Sequence, residues 1–206
     1  MRAQEAIQTV VTLDLEGVLI PEIWVETAKE TGIDGLLRTT RDEPDYDVLM
    51  QGRLDLLAEN GLGMSDIAAV IAGLSPLEGA KSFLDELRSL SQVIILSDTF
   101  EEFARPMMSH LDWPTVLCHR LVIDADDRIT DYRLRQPDQK RRAVEALHGL
   151  EYRVIAAGDS YNDTTMLAEA DHGFLFRSPA RVQAEFPQFP ALESYDELLA
   201  RITELL

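Results

Sequence analysis

Only one cysteine, Cys118, occurs in the 206 residues. No disulfide can close within the chain, and no CxxC pair offers a metal or redox site. The lone thiol suits a reducing compartment and reads as a packing residue, not a nucleophile. Basic residues are also scarce. There are 19 Lys and Arg against 37 Asp and Glu, a net charge of −18. That excess argues against nucleic acid or an anionic membrane as a partner, since both would repel the chain. It leaves room for a small anion gathered by a metal or by a few cations. No apolar run approaches the roughly 18 residues a membrane helix needs, and the opening MRAQEAIQTVV has neither an apolar leader core nor a cleavage pattern. The chain therefore reads as cytoplasmic. The histidines, at 110, 119, 148 and 172, lack metal-binding spacing and read as surface or core residues. Trp24 and Trp113 read as packing, and the acidic run DADD (124–127) as a solvated turn. There is no internal repeat.

What the sequence does have is 46% hydrophobic and 27% charged residues, a balance that suits a globular fold. Apolar, β-rich runs fall at 9–15, 92–96 and 152–157, with a weaker one at 172–176. None alternates cleanly with polar residues, so each reads as a parallel strand buried on both faces. Helical patterns lie between them at 77–90 and 138–147, and Ser194 with Glu197 forms a capping box that opens a last helix to about 205. The fold class is therefore α/β, a parallel sheet flanked by helices. Residues 17–74 break the alternation and read as helices only, at 22–30, 46–59 and 65–71, with Ser65 as an N-cap. They form a small helical insert, or cap, after the first strand, leaving 1–16 and 75–206 as the core domain. The segments 115–123 and 128–134 read as an antiparallel hairpin.

Each strong strand ends in chemistry-bearing residues, at the edge where open parallel sheets bind ligands. The first gives Asp14 and Glu16. The second gives Ser97 and Asp98. The third gives Asp159, Asn162 and Asp163, and Lys140 opens the preceding helix. Several carboxylates in one crevice need a cation, and hard oxygen ligands beside a phosphate point to Mg²⁺. Asp14 and Asp159 are the natural ligand pair. Asp14 can attack a phosphoryl group once a metal and Lys140 remove the charge repulsion. Glu16, two residues on, faces the same side and can serve as general acid and base. Gly17 lets the backbone turn and approach a ligand.

These residues, in this order, resemble the four motifs of the haloacid-dehalogenase-like phosphatases: Asp14-Leu-Glu16-Gly17-Val-Leu, Ser97, Lys140, and Gly158-Asp159-Ser-Tyr-Asn162-Asp163. The resemblance spans roughly 10–176, and the insert is similar to the small cap of the phosphoserine phosphatases. It implies a Rossmann-like core, an aspartyl-phosphate intermediate on Asp14, and Mg²⁺ held by Asp14, Asp159 and the Glu16 carbonyl, with Asp163 supporting. It further implies that Glu22 reads the ammonium of phosphoserine and Arg53 its carboxylate, while Ser97, Asp98, Lys140 and Asn162 bind around the phosphate and substrate. Two departures stand out. Glu16 replaces the usual Asp, and Ser97-Asp98-Thr99 replaces Ser-Gly-Gly. Both resemble a bacterial variant that also transfers phosphate to homoserine. Other readings are a phosphatase for another small phosphomonoester, or a phospho-acceptor receiver module. Such a receiver would carry its acceptor on a middle strand and lack a cap. The sequence does not set the oligomer; a homodimer is carried as an expectation.

Overall fold

The structure is a computed structural model that describes residues 8–39, 42–43 and 45–206. The leaderless reading of the N-terminus, and residues 1–7 of the predicted core, lie outside the described residues.

The strands are β1 (Thr9–Leu13), β2 (Gln92–Phe100), β3 (Thr115–Ile123), β4 (Ile129–Arg133), β5 (Arg153–Gly158), β6 (His172–Phe176) and β7 (Ala191–Leu192). They form one sheet in the order β4-β3-β2-β1-β5-β6-β7. All neighbours are parallel except β3 and β4. The helices are α1 (Ile23–Thr31), α2 (Tyr46–Glu59), α3 (Met64–Ala72), α4 (Ala80–Leu90), α5 (Glu101–Met108), α6 (Gln139–Gly149), α7 (Thr164–Glu169), α8 (Ala180–Glu185) and α9 (Tyr195–Thr203). The protein is an α/β fold, as predicted.

The apolar runs are continuous because both sheet faces are covered. Along β5, Ile155 and Ala157 join one core cluster while Val154 and Ala156 join the other. Alternate residues of a strand point to opposite faces, so a doubly covered strand needs apolar residues at every position. Strand β1 is central. The chain proceeds to β2 on one side and returns to β5 on the other, which opens a crevice at the carboxyl ends where the order reverses.

Helices α1–α3 occupy the predicted insert. Their Trp24, Met50, Leu57, Ile67 and Ile71 belong to the same apolar cluster as the sheet face beneath. The helix predicted at 46–59 matches α2, whose first turn is capped by Asp45. The N-cap predicted at Ser65 is not found; α3 starts one residue earlier, behind Gly63. The reason lies elsewhere in the chain. Asp127, in the turn between β3 and β4, accepts Met64 N–H through its carbonyl at 2.8 Å and Ser65 N–H through its carboxylate at 2.9 Å. It thereby satisfies amides that a helix start leaves unpaired. The DADD run is thus more than a solvated turn. The hairpin has its predicted partners, but β3 also extends the main sheet beside β2. Helix α5 was not foreseen, because Pro106 sits inside it and proline ordinarily interrupts a helix. Trp113, expected to pack, is 63% exposed. Cys118 is half-buried, and burial, helped by Glu101 and Glu102, pushes its thiol up to about 11.

Candidate active site

The tips of β1 and β5 bring the acids together. Asp14 directly follows β1, and its N–H donates to Ala157 C=O at 3.0 Å, continuing the ladder. Asp159 and Asp163 follow β5. Asp163 is fully buried, and its Oδ2 accepts the amides of Asp159 at 2.9 Å and Ser160 at 3.0 Å. Gly17 has φ +76°, and a Cβ there would lie 2.6 Å from the Asp159 carboxyl carbon. Only glycine lets this loop turn and still leave room for Asp159.

Lys140, at the start of α6, is the cation of this cluster. Its Nζ lies 2.9 Å from Asp14 Oδ1, 2.7 Å from Asp163 Oδ1 and 3.6 Å from Asp98 Oδ2. Burial works against its charge, but Asp14, Asp163 and Asp98 outweigh that and raise its pKa well above the ordinary value. Lys140 therefore stays protonated. The acids outnumber it. Burial, then the Asp163 charge, raise the Asp14 pKa well above the carboxylate range, and Lys140 only partly offsets them. Asp14, Asp159 and Asp163 each offer a carboxylate oxygen, all within 4.8 Å of one another. Buried oxygen donors with more negative charge than one ammonium can balance are suited to a hard divalent cation.

Toward the insert, a cavity of about 330 Å³ opens, lined among others by Glu16, Glu22, Tyr46, Arg53, Ser97 and Asn162. Glu16 lines this cavity, although β1 ends at Leu13 and the alternation of an extended strand does not apply to it. Burial and the neighbouring Glu22 push its carboxyl up to about 8, against a hydrogen bond with Thr99 and the charge of Arg53. Glu22 is exposed and immediately precedes α1. Arg53 is buried in α2, stacks 4.7 Å above the Trp24 ring and donates from Nη2 to Arg38 C=O at 2.8 Å. Its Nε has no hydrogen-bond partner. The predicted site residues thus come from the segments that follow β1 and β5, from the end of β2, and from helices α2 and α6. Asp98 differs from expectation in what it touches. Its carboxylate accepts Asn162 Nδ2 at 2.8 Å and Gln139 Nε2 at 3.1 Å.

Four further residues were missed. Trp24 holds Arg53 as well as packing. Tyr46 lines the cavity seven positions before Arg53, a helical spacing that puts both on one face, so this signal was available. Gln139 binds the Ser97 carbonyl at 2.5 Å. His119, read as an ordinary surface or core residue, is buried with Nε2 3.6 Å from Asp98 Oδ1. No local pattern marks Gln139 or His119.

Comparison with known proteins agrees with this geometry. A family model for haloacid dehalogenase-like hydrolases matches residues 8–171. The chain belongs to the haloacid dehalogenase-like hydrolase family. Within it, the chain is 61% identical over 186 residues to "Phosphoserine phosphatase" of Pseudomonas syringae pv. tomato, covering 90% of this chain and 78% of that one. It is equally 61% identical over 186 residues to "Phosphoserine phosphatase ThrH" of Pseudomonas aeruginosa, covering 90% and 91%. Among solved structures, a phospho-aspartyl intermediate analogue of phosphoserine phosphatase superposes with TM-score 0.79 at 18% identity, covering 95% and 99%. That likeness speaks to the fold. Family membership sets aside the receiver-module reading. No helix of the described residues is long and apolar enough to cross a membrane.

Proposed function

We propose that the chain is a Mg²⁺-dependent phosphoserine phosphatase that also passes the phosphoryl group to homoserine. The observation that carries this reading is the pairing of a buried, Lys140-anchored acid cluster with a cavity that presents an Arg53 guanidinium and a Glu22 carboxylate. One end suits a phosphate ester and the other an amino acid. High identity to relatives named phosphoserine phosphatase, one of them ThrH, supports it.

Helices in 17–74 act as the cap. Arg53 grips the substrate carboxylate, for which a guanidinium offers parallel donors, and Glu22 meets the ammonium. Lys140, Ser97 and Asn162 surround the phosphoryl group, with Asp98 tied to two of them. Lys140 Nζ and Leu15 N–H both meet Asp14 Oδ1, which leaves attack on phosphorus to Oδ2. The P–O bond to serine breaks as the Asp14–P bond forms, and protonated Glu16 gives its proton to the departing serine oxygen. The deprotonated Glu16 then takes a proton from water, or from the homoserine hydroxyl, as that oxygen attacks phospho-Asp14. Its high pKa suits the first duty at neutral pH. Asp14, Asp159 and the Glu16 carbonyl would hold Mg²⁺, with Asp163 supporting. The bound ion would offset the carboxylate charge, keep Asp14 ionised and polarise the phosphoryl oxygens. We place the protein in the cytoplasm as a homodimer; light scattering at the doubled mass checks the assembly.

The test is a phosphomonoester panel with Mg²⁺, with and without homoserine. Phosphoserine should be the best substrate, homoserine phosphate should form when homoserine is added, and chelation should abolish both. A different preferred ester would overturn the substrate. Inorganic phosphate as the sole phosphorylated product would overturn the transfer, and full activity after chelation the metal.

A further inference from the structure

A cavity separate from the substrate pocket, also about 330 Å³, lies behind Asp98, and His119, Gln139 and Lys140 are among its lining residues. Asp98 and Asn162 line both cavities. The wall between them is a network that ties motif residues Asp98 and Asn162 to residues outside the motifs.

The network begins where the sheet loses register. Pairing of β2 with β3 is regular to Leu96 and resumes at Phe100 opposite His119, with an irregularity across Ser97-Asp98-Thr99. A broken ladder leaves backbone groups in need of partners. Gln139 supplies one, donating from Nε2 to the Ser97 carbonyl and to Asp98 Oδ1. Arg135 sets the direction of that amide, since its Nη2 donates to Gln139 Oε1 at 2.7 Å. Arg135 also orients the imidazole. Its backbone N–H donates to His119 Nδ1 at 3.0 Å, so in the neutral ring the proton sits on Nε2, which faces Asp98 Oδ1 at 3.6 Å. Asp98 is held on this rear side by Gln139 and His119. On the other oxygen it accepts Asn162 Nδ2 and faces Lys140 Nζ.

We propose that His119, with Gln139, is a positioning residue that fixes the Asp98 carboxylate and through it the Asn162 amide and the Lys140 ammonium at the phosphoryl site. The role rests on the reaction proposed above. It also gives Asp98 a task that a glycine at that position could not perform: a carboxylate there ties two phosphate-binding groups together before substrate arrives. The low pKa of Asp98 agrees, because Lys140, His119, Asn162 and Gln139 together outweigh its burial.

A double-mutant cycle tests this, with kcat and KM for phosphoserine measured at each corner. His119→Leu should lower kcat/KM about tenfold, the scale of a lost contact to a charged group. In an Asp98→Asn background the same change should cost less than about twofold, because the group it acts through has already lost its charge. His119→Gln, whose amide can reach Asp98, should recover most of the activity. His119→Asn, which is too short, should not. Thermal melting of each variant separates loss of fold from loss of positioning. Equal losses in both backgrounds, or failure of His119→Gln to recover activity while melting like wild type, would overturn the role. If wild type does not turn over phosphoserine, the fault lies with the proposed reaction; a wild type that does so with an additive cycle puts the fault with His119.

Discussion

The sheet tips and the helical insert face each other across one cavity, yet they hold their side chains by different means. At the tips, backbone does the holding. The β1–β5 ladder continues into Asp14, two amides grip Asp163, and Gly17 makes room for Asp159. In the insert, packing does more of it: Arg53 rests on Trp24 besides donating to the Arg38 carbonyl, and Glu22 stands exposed ahead of α1. The two ends differ in tolerance. A group placed by a sheet ladder has little freedom, which suits a nucleophile that must meet phosphorus in line. A group placed by packing within an insert can adjust, which suits the proposed recognition of more than one amino-acid substrate.

That contrast can be broken from the chemical end first. Asp14→Asn should reduce turnover by several orders of magnitude, as expected for loss of a nucleophile, with melting that shows an intact fold. Glu16→Gln should slow kcat by about 10²–10⁴-fold, the usual scale of general acid–base catalysis. It should also change how stability depends on pH. The folded-state pKa of Glu16, about 8, lies above its ordinary value of 4.5, so between these values the folded protein binds the proton more tightly than the unfolded chain. This contribution is fully present below about pH 4.5 and is lost as pH rises through about 8. Melting of wild type and Glu16→Gln across that window should diverge accordingly. Parallel curves would contradict it.

At the recognition end, Arg53→Ala should act mainly on KM for phosphoserine, raising it about 10–100-fold for a lost charge-assisted contact, with kcat changed far less. A fall in kcat with unchanged KM would mean that Arg53 serves the chemistry and that the two ends are not separable. The smallest effect is expected where the insert meets the β3–β4 turn. Asp127→Ala should cost about 1 kcal/mol in denaturant unfolding, the scale of a lost helix cap, and leave kcat near wild type.

The same division explains what could be read in advance. Buried strands write themselves as unbroken apolar runs, and their ends expose the acids, so Asp14, Asp159, Asp163 and Lys140 were visible as a set. Helix α2 was visible as part of a strand-free helical stretch after the first strand. Contacts made by residues distant in sequence were not. Asp127 capping α3 and His119 behind Asp98 each depend on a hairpin whose place in the sheet no local pattern reveals. Pro106 hid α5 because a local rule was overridden by packing of Phe103, Ala104 and Met107 in the core.

The central claim is that an Asp14 oxygen takes the phosphoryl group. Mixing the protein with radiolabelled phosphoserine and Mg²⁺, quenching in acid during turnover and mapping the label by peptide analysis tests it directly. The account predicts acid-stable, base-labile label on the peptide containing Asp14, lost in the Asp14→Asn variant. Label on another residue, or undiminished label in that variant, would contradict it.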